Sequence, residues 1–217
     1  MKKNKCFNFN VILTIACLVT LVSGCEGEPT LCPDSNHPHV IDLGLPNGTK
    51  WSCCNVGATS PENPGGYYSW GETEVKSNYD SYNYKHGEAS LQVPQRMGNI
   101  AGTKYDAAVV RMGSSWQMPT SEQLNELVNY CQWKWTSYKG HYGRLVTGPN
   151  GNSIFLPASG ERTGNTLWKN EEEGFYRASN LSSDIILYYL SFHDSHYEVF
   201  RGDGLELGWS IRPIAVE

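Results

Sequence analysis

The residues able to do chemistry in this 217-residue chain fall into a few groups. Past the N-terminal stretch, Cys32, Cys53, Cys54 and Cys131 can form disulfides or ligate a metal. Four cysteines allow three pairings. Adjacent Cys53 and Cys54 are poor partners for each other, because neighbouring side chains in a strand point to opposite faces. Two pairings remain, and Cys32–Cys53 with Cys54–Cys131 is the expected one. A zinc site is the alternative, disfavoured by the lack of any Cys-x-x-Cys spacing. His193-Asp194-Ser195-His196 offers imidazoles and a carboxylate. Its spacing gives neither a pair on one helix face nor a fixed fourth ligand, so a polar loop tip is expected. Asp203 and Glu206 are hard oxygen donors of the kind calcium takes, but a solvated turn is the simpler reading, and no cofactor is expected. No Gly-x-Ser-x-Gly elbow and no His-Glu-x-x-His pair is present. Glu171-Glu172-Glu173 reads as a solvated charge run, unlike the separated carboxylates of a glycosidase cleft. The chain is therefore read as non-catalytic.

The first 24 residues read as a leader. Lys2, Lys3 and Lys5 form a positive start, and an apolar run from Val11 to Val22 follows. That run is too short to span a bilayer, which takes roughly 20 residues, and reads as the core of a signal peptide. It ends in Val22-Ser23-Gly24-Cys25, which resembles a bacterial lipobox with cleavage just before the cysteine. Cys25 is thus the expected lipidation residue, and several acyl chains on one residue give firm anchoring. Export also suits disulfides. The formal charge is −5, and losing the leader's lysines makes the chain more acidic still. With no basic run anywhere, nucleic acid is excluded as an electrostatic partner, and the membrane is reached through the lipid alone.

The elements that must position these groups are short. Hydrophobic residues make up 39% and aromatics 12%, so the chain can build a core, while 22 Gly and 11 Pro break it into many turns. Residues 25–39 read as a tether and 40–217 as one α+β domain. Strands are expected at Val40–Leu45, Lys50–Val56, Arg144–Thr147, Ser153–Pro157, Phe175–Ser179, Ile185–Phe192, Tyr197–Arg201 and Trp209–Ile214. Trp133 and Trp135 share a face if extended. One helix is expected to open at Thr103, with Asp106 three residues on, and run to about Met112. A second is capped by Thr120 with Gln123 in the reciprocal position, and Leu124, Leu127, Val128 and Cys131 form its apolar stripe. Residues 73–100 read as a long irregular excursion.

Five blocks carry a family resemblance: Asp42 to Ala58, Gly66 to Glu74, Gly113 to Thr120, Asn152 to Gly160, and Gly208 to Ile214. In this order they resemble the Fibrobacter succinogenes major paralogous domain of Bacteroides-group surface lipoproteins. The resemblance implies a C-type lectin-like fold, with two helices, small twisted antiparallel sheets, long loops, and the first and last strands paired near the termini. It also implies an outer-membrane or cell-surface location. Pro61-Glu62-Asn63 permutes the calcium-lectin tripeptide, and no Trp-Asn-Asp follows, so the lectin calcium site does not carry over. Related proteins use the stretch before the Gly-x-Ser-x-Arg-Pro ending as a variable ligand surface. The expected ligand residues are accordingly Trp168, Tyr176, Arg177, Asn180, Asp184, His193, His196, Tyr197 and Arg201, binding a glycan or a surface protein. The alternatives are a structural or tip subunit of an envelope assembly, and an enzyme on a formylglycine-generating-enzyme-like scaffold.

Overall fold

The computed structural model describes residues 31–87 and 93–216. The leader and Cys25 lie outside the described residues. The strands are β1 (Val40–Asp42), β2 (Lys50–Ser52), β3 (Trp116–Gln117), β4 (Gln132–Tyr138), β5 (His141–Thr147), β6 (Ser153–Pro157), β7 (Glu161–Thr163), β8 (Thr166–Trp168), β9 (Gly174–Ser183), β10 (Ile186–Phe192), β11 (Tyr197–Gly202) and β12 (Ile214–Ala215). The helices are α1 (Val93–Met97), α2 (Ala107–Met112) and α3 (Ser121–Tyr130). The result is α+β: small antiparallel sheets ordered β1-β2-β12-β3, β11-β10-β9, β4-β5-β6 and β7-β8. Among the described residues no helix is long and apolar enough to cross a membrane.

Local chemistry sets the boundaries. Thr120 accepts from the Gln123 amide while the Gln123 side chain accepts from the Thr120 amide, a reciprocal cap that fixes the start of α3 as expected. The helix near residue 103 starts later than expected. Asp106 is its cap, accepting from the Ala108 and Val109 amides, and Thr103 sits in the preceding turn. The carboxylate wins because it also accepts from Gly102 and Met118, closing four donors onto one buried group. Burial raises the pKa of Asp106, and those four bonds oppose the shift. The first and last strands share a sheet but do not touch, since β2 lies between them, with Ile214 opposite Trp51. The hairpin β7-β8 was not anticipated. Its Gly164-Asn165 turn, with Gly164 at φ 58°, is the signal that marks it.

Strand alternation gives the sheet β4-β5-β6 two distinct faces. On one face Val146, Ile154 and Leu156 join Leu124 and Leu127 of α3 and Leu190 and Phe192 of β10 in the main core. On the other, Tyr138 and Phe155 meet Leu31, with Leu145 and Cys32 packed beside them. Residues 31–39, part of the expected tether, are laid onto the domain as a strap. Trp51, Trp70, Trp116 and Trp209 are buried, as their places in the sequence blocks imply.

Irregular backbone leaves carbonyls without ladder partners, and two buried arginines collect them. Arg212 donates to the carbonyls of Ser52, Cys53 and Phe155 and to the side-chain oxygen of Asn55. Arg177 donates to the carbonyls of Tyr68, Gly204 and Leu207 and lies 4.5 Å from the Trp209 ring centre. Burial pulls the Arg177 pKa down to about 10, still far above neutrality, so it folds as a cation.

Candidate functional site

The long hairpin β4-β5 turns through Lys139-Gly140, both at positive φ, and sets its register residue for residue. Trp133 and Trp135 point to one face, with Val146 and Arg144 opposite them and Tyr142 on the next diagonal. The Trp135 and Tyr142 rings lie nearly parallel, 7° apart in plane with centroids 6.1 Å apart. Tyr142 is 50% exposed. Together with Glu171, Glu172, Glu173, His193 and Asp194 these rings line an open cleft of about 450 Å³.

Each wall of the cleft is tied down. Glu171 sits at φ 65°, a left-handed conformation that costs an ordinary residue ~1–2 kcal/mol. It is held there by its own bonds. Its amide donates to the Ala158 carbonyl at 2.7 Å, and its carboxylate accepts from the Tyr142 amide at 2.5 Å and meets His141 Nδ1 at 2.9 Å. Beneath the cleft, Arg144 is buried and donates to the carbonyls of Trp133 and His193, pinning the β10-β11 turn against β4. Its guanidinium lies 5.8 Å from the Trp135 ring and 5.2 Å from that of Tyr197, which stacks on Trp133 at 4.6 Å. Burial lowers the Arg144 pKa. The arrangement presents flat apolar rings flanked by carboxylates. Such a surface can stack on the apolar face of a ring and accept hydrogen bonds from its hydroxyls.

The residues expected to form a ligand surface are dispersed. His193 alone among them lines this cleft. Tyr176 is buried, its hydroxyl donating to the Pro157 carbonyl, and Arg177 is the carbonyl collector described above. They point to opposite faces of β9, Tyr176 into the main core and Arg177 against Trp209, and both faces are covered there, so neither reaches a ligand. Asn180 is structural as well. Its side-chain oxygen accepts from the Ser121 amide and its amide donates to Ser121 Oγ, fastening β9 to the start of α3. Tyr197 is half-buried in its stack on Trp133. Trp168, 56% exposed, ends β8. Asp184 occupies the exposed β9-β10 turn, Arg201 is exposed on β11, and His196 is exposed with Nε2 3.3 Å from Glu198. Alternation along β9 to β11 sends these side chains to different faces, so they make no single surface.

The cysteines also depart from expectation, since all four are free thiols. Cys131 caps the end of α3 and packs on the main core, its pKa pushed up to about 11 by burial with Glu126 adding, and no thiol bears on it. The chain bends straight after β2, so Cys53 and Cys54 do not point apart: their sulfurs are 3.3 Å from each other. The bend continues the β1-β2 ladder, with the Cys53 amide donating to the His39 carbonyl. Around Cys53 Sγ stand the His39 amide at 3.1 Å, His37 Nδ1 at 3.3 Å and His39 Nδ1 at 3.6 Å. Hydrogen bonding from Cys54 is the largest cause holding the Cys53 thiol at about 4, with the His39 amide and both rings adding against burial. Cys32 is pushed up to about 12 by burial and by Cys53, and Cys54 is raised by its bond to Cys53. The hydrogen bonds thus favour the charged form at Cys53 over Cys32 and Cys54. The Cys53 bond raises the pKa of His39, whose Nε2 meets Asp34 Oδ1 at 3.1 Å.

Sequence reasoning passed over Trp135 and Tyr142 as ligand residues, and His37 and His39 altogether. Trp133-x-Trp135 facing Tyr142-x-Arg144 across a Lys-Gly turn is the signal for the first pair. His37-Pro38-His39 between Cys32 and Cys53 is the signal for the second. Compared with known proteins, the chain matches no family model, no curated protein and no solved structure.

Proposed function

We propose that this protein is a lipid-anchored binding module of the cell envelope that holds a glycan in the Trp135–Tyr142 cleft and performs no catalysis. The observation carrying the reading is the nearly parallel pair of partly open rings, bordered by carboxylates on a tied-down frame. The cleft also suggests what kind of sugar fits. Glu171, Glu172, Glu173 and Asp194 surround the rings, so uronic and other acidic sugars are repelled and neutral or amino sugars are favoured. The envelope location rests on the leader and lipobox, with Cys25 as the anchor and only a few residues before Leu31 of the strap. The C-type lectin-like fold of the resembling family belongs to the same proposal. It is supported by the two longer helices, the small sheets, and the placement of β1 and β12 in one sheet, which brings the two ends of the domain together.

The test is a glycan array, followed by titration of the full chain in detergent with each sugar retained. Binding of neutral or amino sugars is expected, and acidic sugars should be excluded. Trp135→Ala should weaken binding roughly tenfold, since a lost ring contact costs ~0.5–1.5 kcal/mol beyond its area and 1.4 kcal/mol is a factor of ten. An array with no retained sugar, or a Trp135→Ala chain that binds as tightly as the parent, overturns the reading.

A further inference from the structure

We infer that Cys32, His37, His39 and Cys53 form a tetrahedral zinc site that clips the N-terminal strap to the domain. The ligand atoms of these four residues all lie within 4.8 Å of one another. A tetrahedral zinc with sulfur at ~2.3 Å and nitrogen at ~2.0–2.1 Å needs ligand-to-ligand separations of about 3.4–3.8 Å. His37 Nδ1 and His39 Nδ1 already stand 3.3 and 3.6 Å from Cys53 Sγ, so the remaining adjustment is under about 1 Å. Two sulfurs with two imidazoles suit zinc, and no hard oxygen donor is among the four, which argues against calcium or magnesium.

The surroundings carry the same signature. A metal-bound histidine commonly gives its other nitrogen to a carboxylate, and His39 Nε2 meets Asp34 Oδ1 at 3.1 Å. The His39 amide donates to Cys53 Sγ, and Arg212 holds the Cys53 carbonyl, so the central sulfur is fixed before any ion arrives. A disulfide between Cys32 and Cys53 would leave both imidazoles aimed at a sulfur with no charge to offer them. The clip also has a structural purpose. Among residues 31–39 one side chain, Leu31, is buried, over Tyr138 and Phe155, a small apolar contact of the kind that small domains supplement with metals.

Cobalt is the probe, and the full chain, reduced and stripped with a chelator in detergent, is the sample. One cobalt per chain should bind, giving thiolate-to-cobalt charge transfer and the intense visible bands of a tetrahedral ion, and zinc should displace it. Cys53→Ser and His37→Ala should abolish the spectrum, and Asp34→Ala should weaken binding at least ~10-fold. Cys131→Ser should leave it unchanged. Asp34 and His37 are not core residues, so their variants report the site even if Cys53→Ser fails to fold. The inference is overturned if no charge-transfer band forms, if the spectrum survives His37→Ala, or if chain extracted from the envelope and alkylated without reduction carries Cys32 joined to Cys53. No sugar enters these measurements, so their failure leaves the cleft reading standing.

Discussion

The two faces of the β4-β5-β6 sheet solve the same problem with unequal means. On the core face, Val146, Ile154 and Leu156 pack into a cluster built from many strands and α3, and Trp135 and Tyr142 extend it outward as the cleft. On the strap face, Leu31 packs over Phe155 and Tyr138, with Cys32 and Leu145 beside it. One face is held by apolar area and ladder hydrogen bonds. The other has little area and non-ladder backbone, and relies on polar groups: Arg212 collecting carbonyls, and the Cys–His cluster around Cys53. The Trp135 and Tyr142 rings can change without removing the backbone bonds that hold the cleft, whereas at the strap corner the chemistry and the structural support are the same residues.

The sharpest way to break this contrast is Arg212→Met. It leaves the carbonyls of Ser52, Cys53 and Phe155 buried without their donor, at ~1–3 kcal/mol each. A loss of at least about 3 kcal/mol in unfolding free energy is expected from denaturant titration. A loss below ~1 kcal/mol would show that the strap corner is held some other way.

A smaller effect separates the faces directly. Leu156→Ala removes a side chain from the middle of the main core and should cost ~2–5 kcal/mol of global stability. Leu31→Ala, with chelator present, should release the strap while the domain stays folded, because local opening needs less free energy than global unfolding. Hydrogen exchange at the His39 amide, which bonds Cys53 Sγ, should then quicken with little movement of the denaturation midpoint. Equal midpoint losses for the two variants would mean that the faces fold as one unit.

The same contrast governs how far the sequence could be read. Short apolar runs such as Ser153–Pro157, and the Thr120/Gln123 cap, declare themselves within a few residues, and the structure has them where expected. The core role of Arg177 is not local: it depends on carbonyls of Tyr68, Gly204 and Leu207 that only the fold brings together, so a polar residue among rings was read as ligand-facing. Cys53 and Cys54 misled for a related reason. Strand alternation would separate them, but the strand stops at Ser52 and the bend turns both sulfurs the same way. The Trp135–Tyr142 platform was half legible, since the tryptophan spacing is visible in sequence while Glu171 comes from a distant turn.

The smallest expected effect is the most useful check on the cleft. Trp168 is 56% exposed and is the aromatic a sequence reader would select as a ligand platform. It ends the two-stranded β7-β8 ladder and does not line the cleft. Removing an exposed ring leaves no cavity and strands no buried partner, so Trp168→Ala should change stability by less than ~0.5 kcal/mol. Sugar affinity, measured by the same titration, should match the parent within error, while Trp135→Ala weakens it. If Trp168→Ala instead costs as much affinity as Trp135→Ala, the ligand spans both sites and the binding face extends over β8. If it alone costs affinity, the rings of β4 and β5 are only the outer edge of the core, and recognition lies on the β7-β8 hairpin.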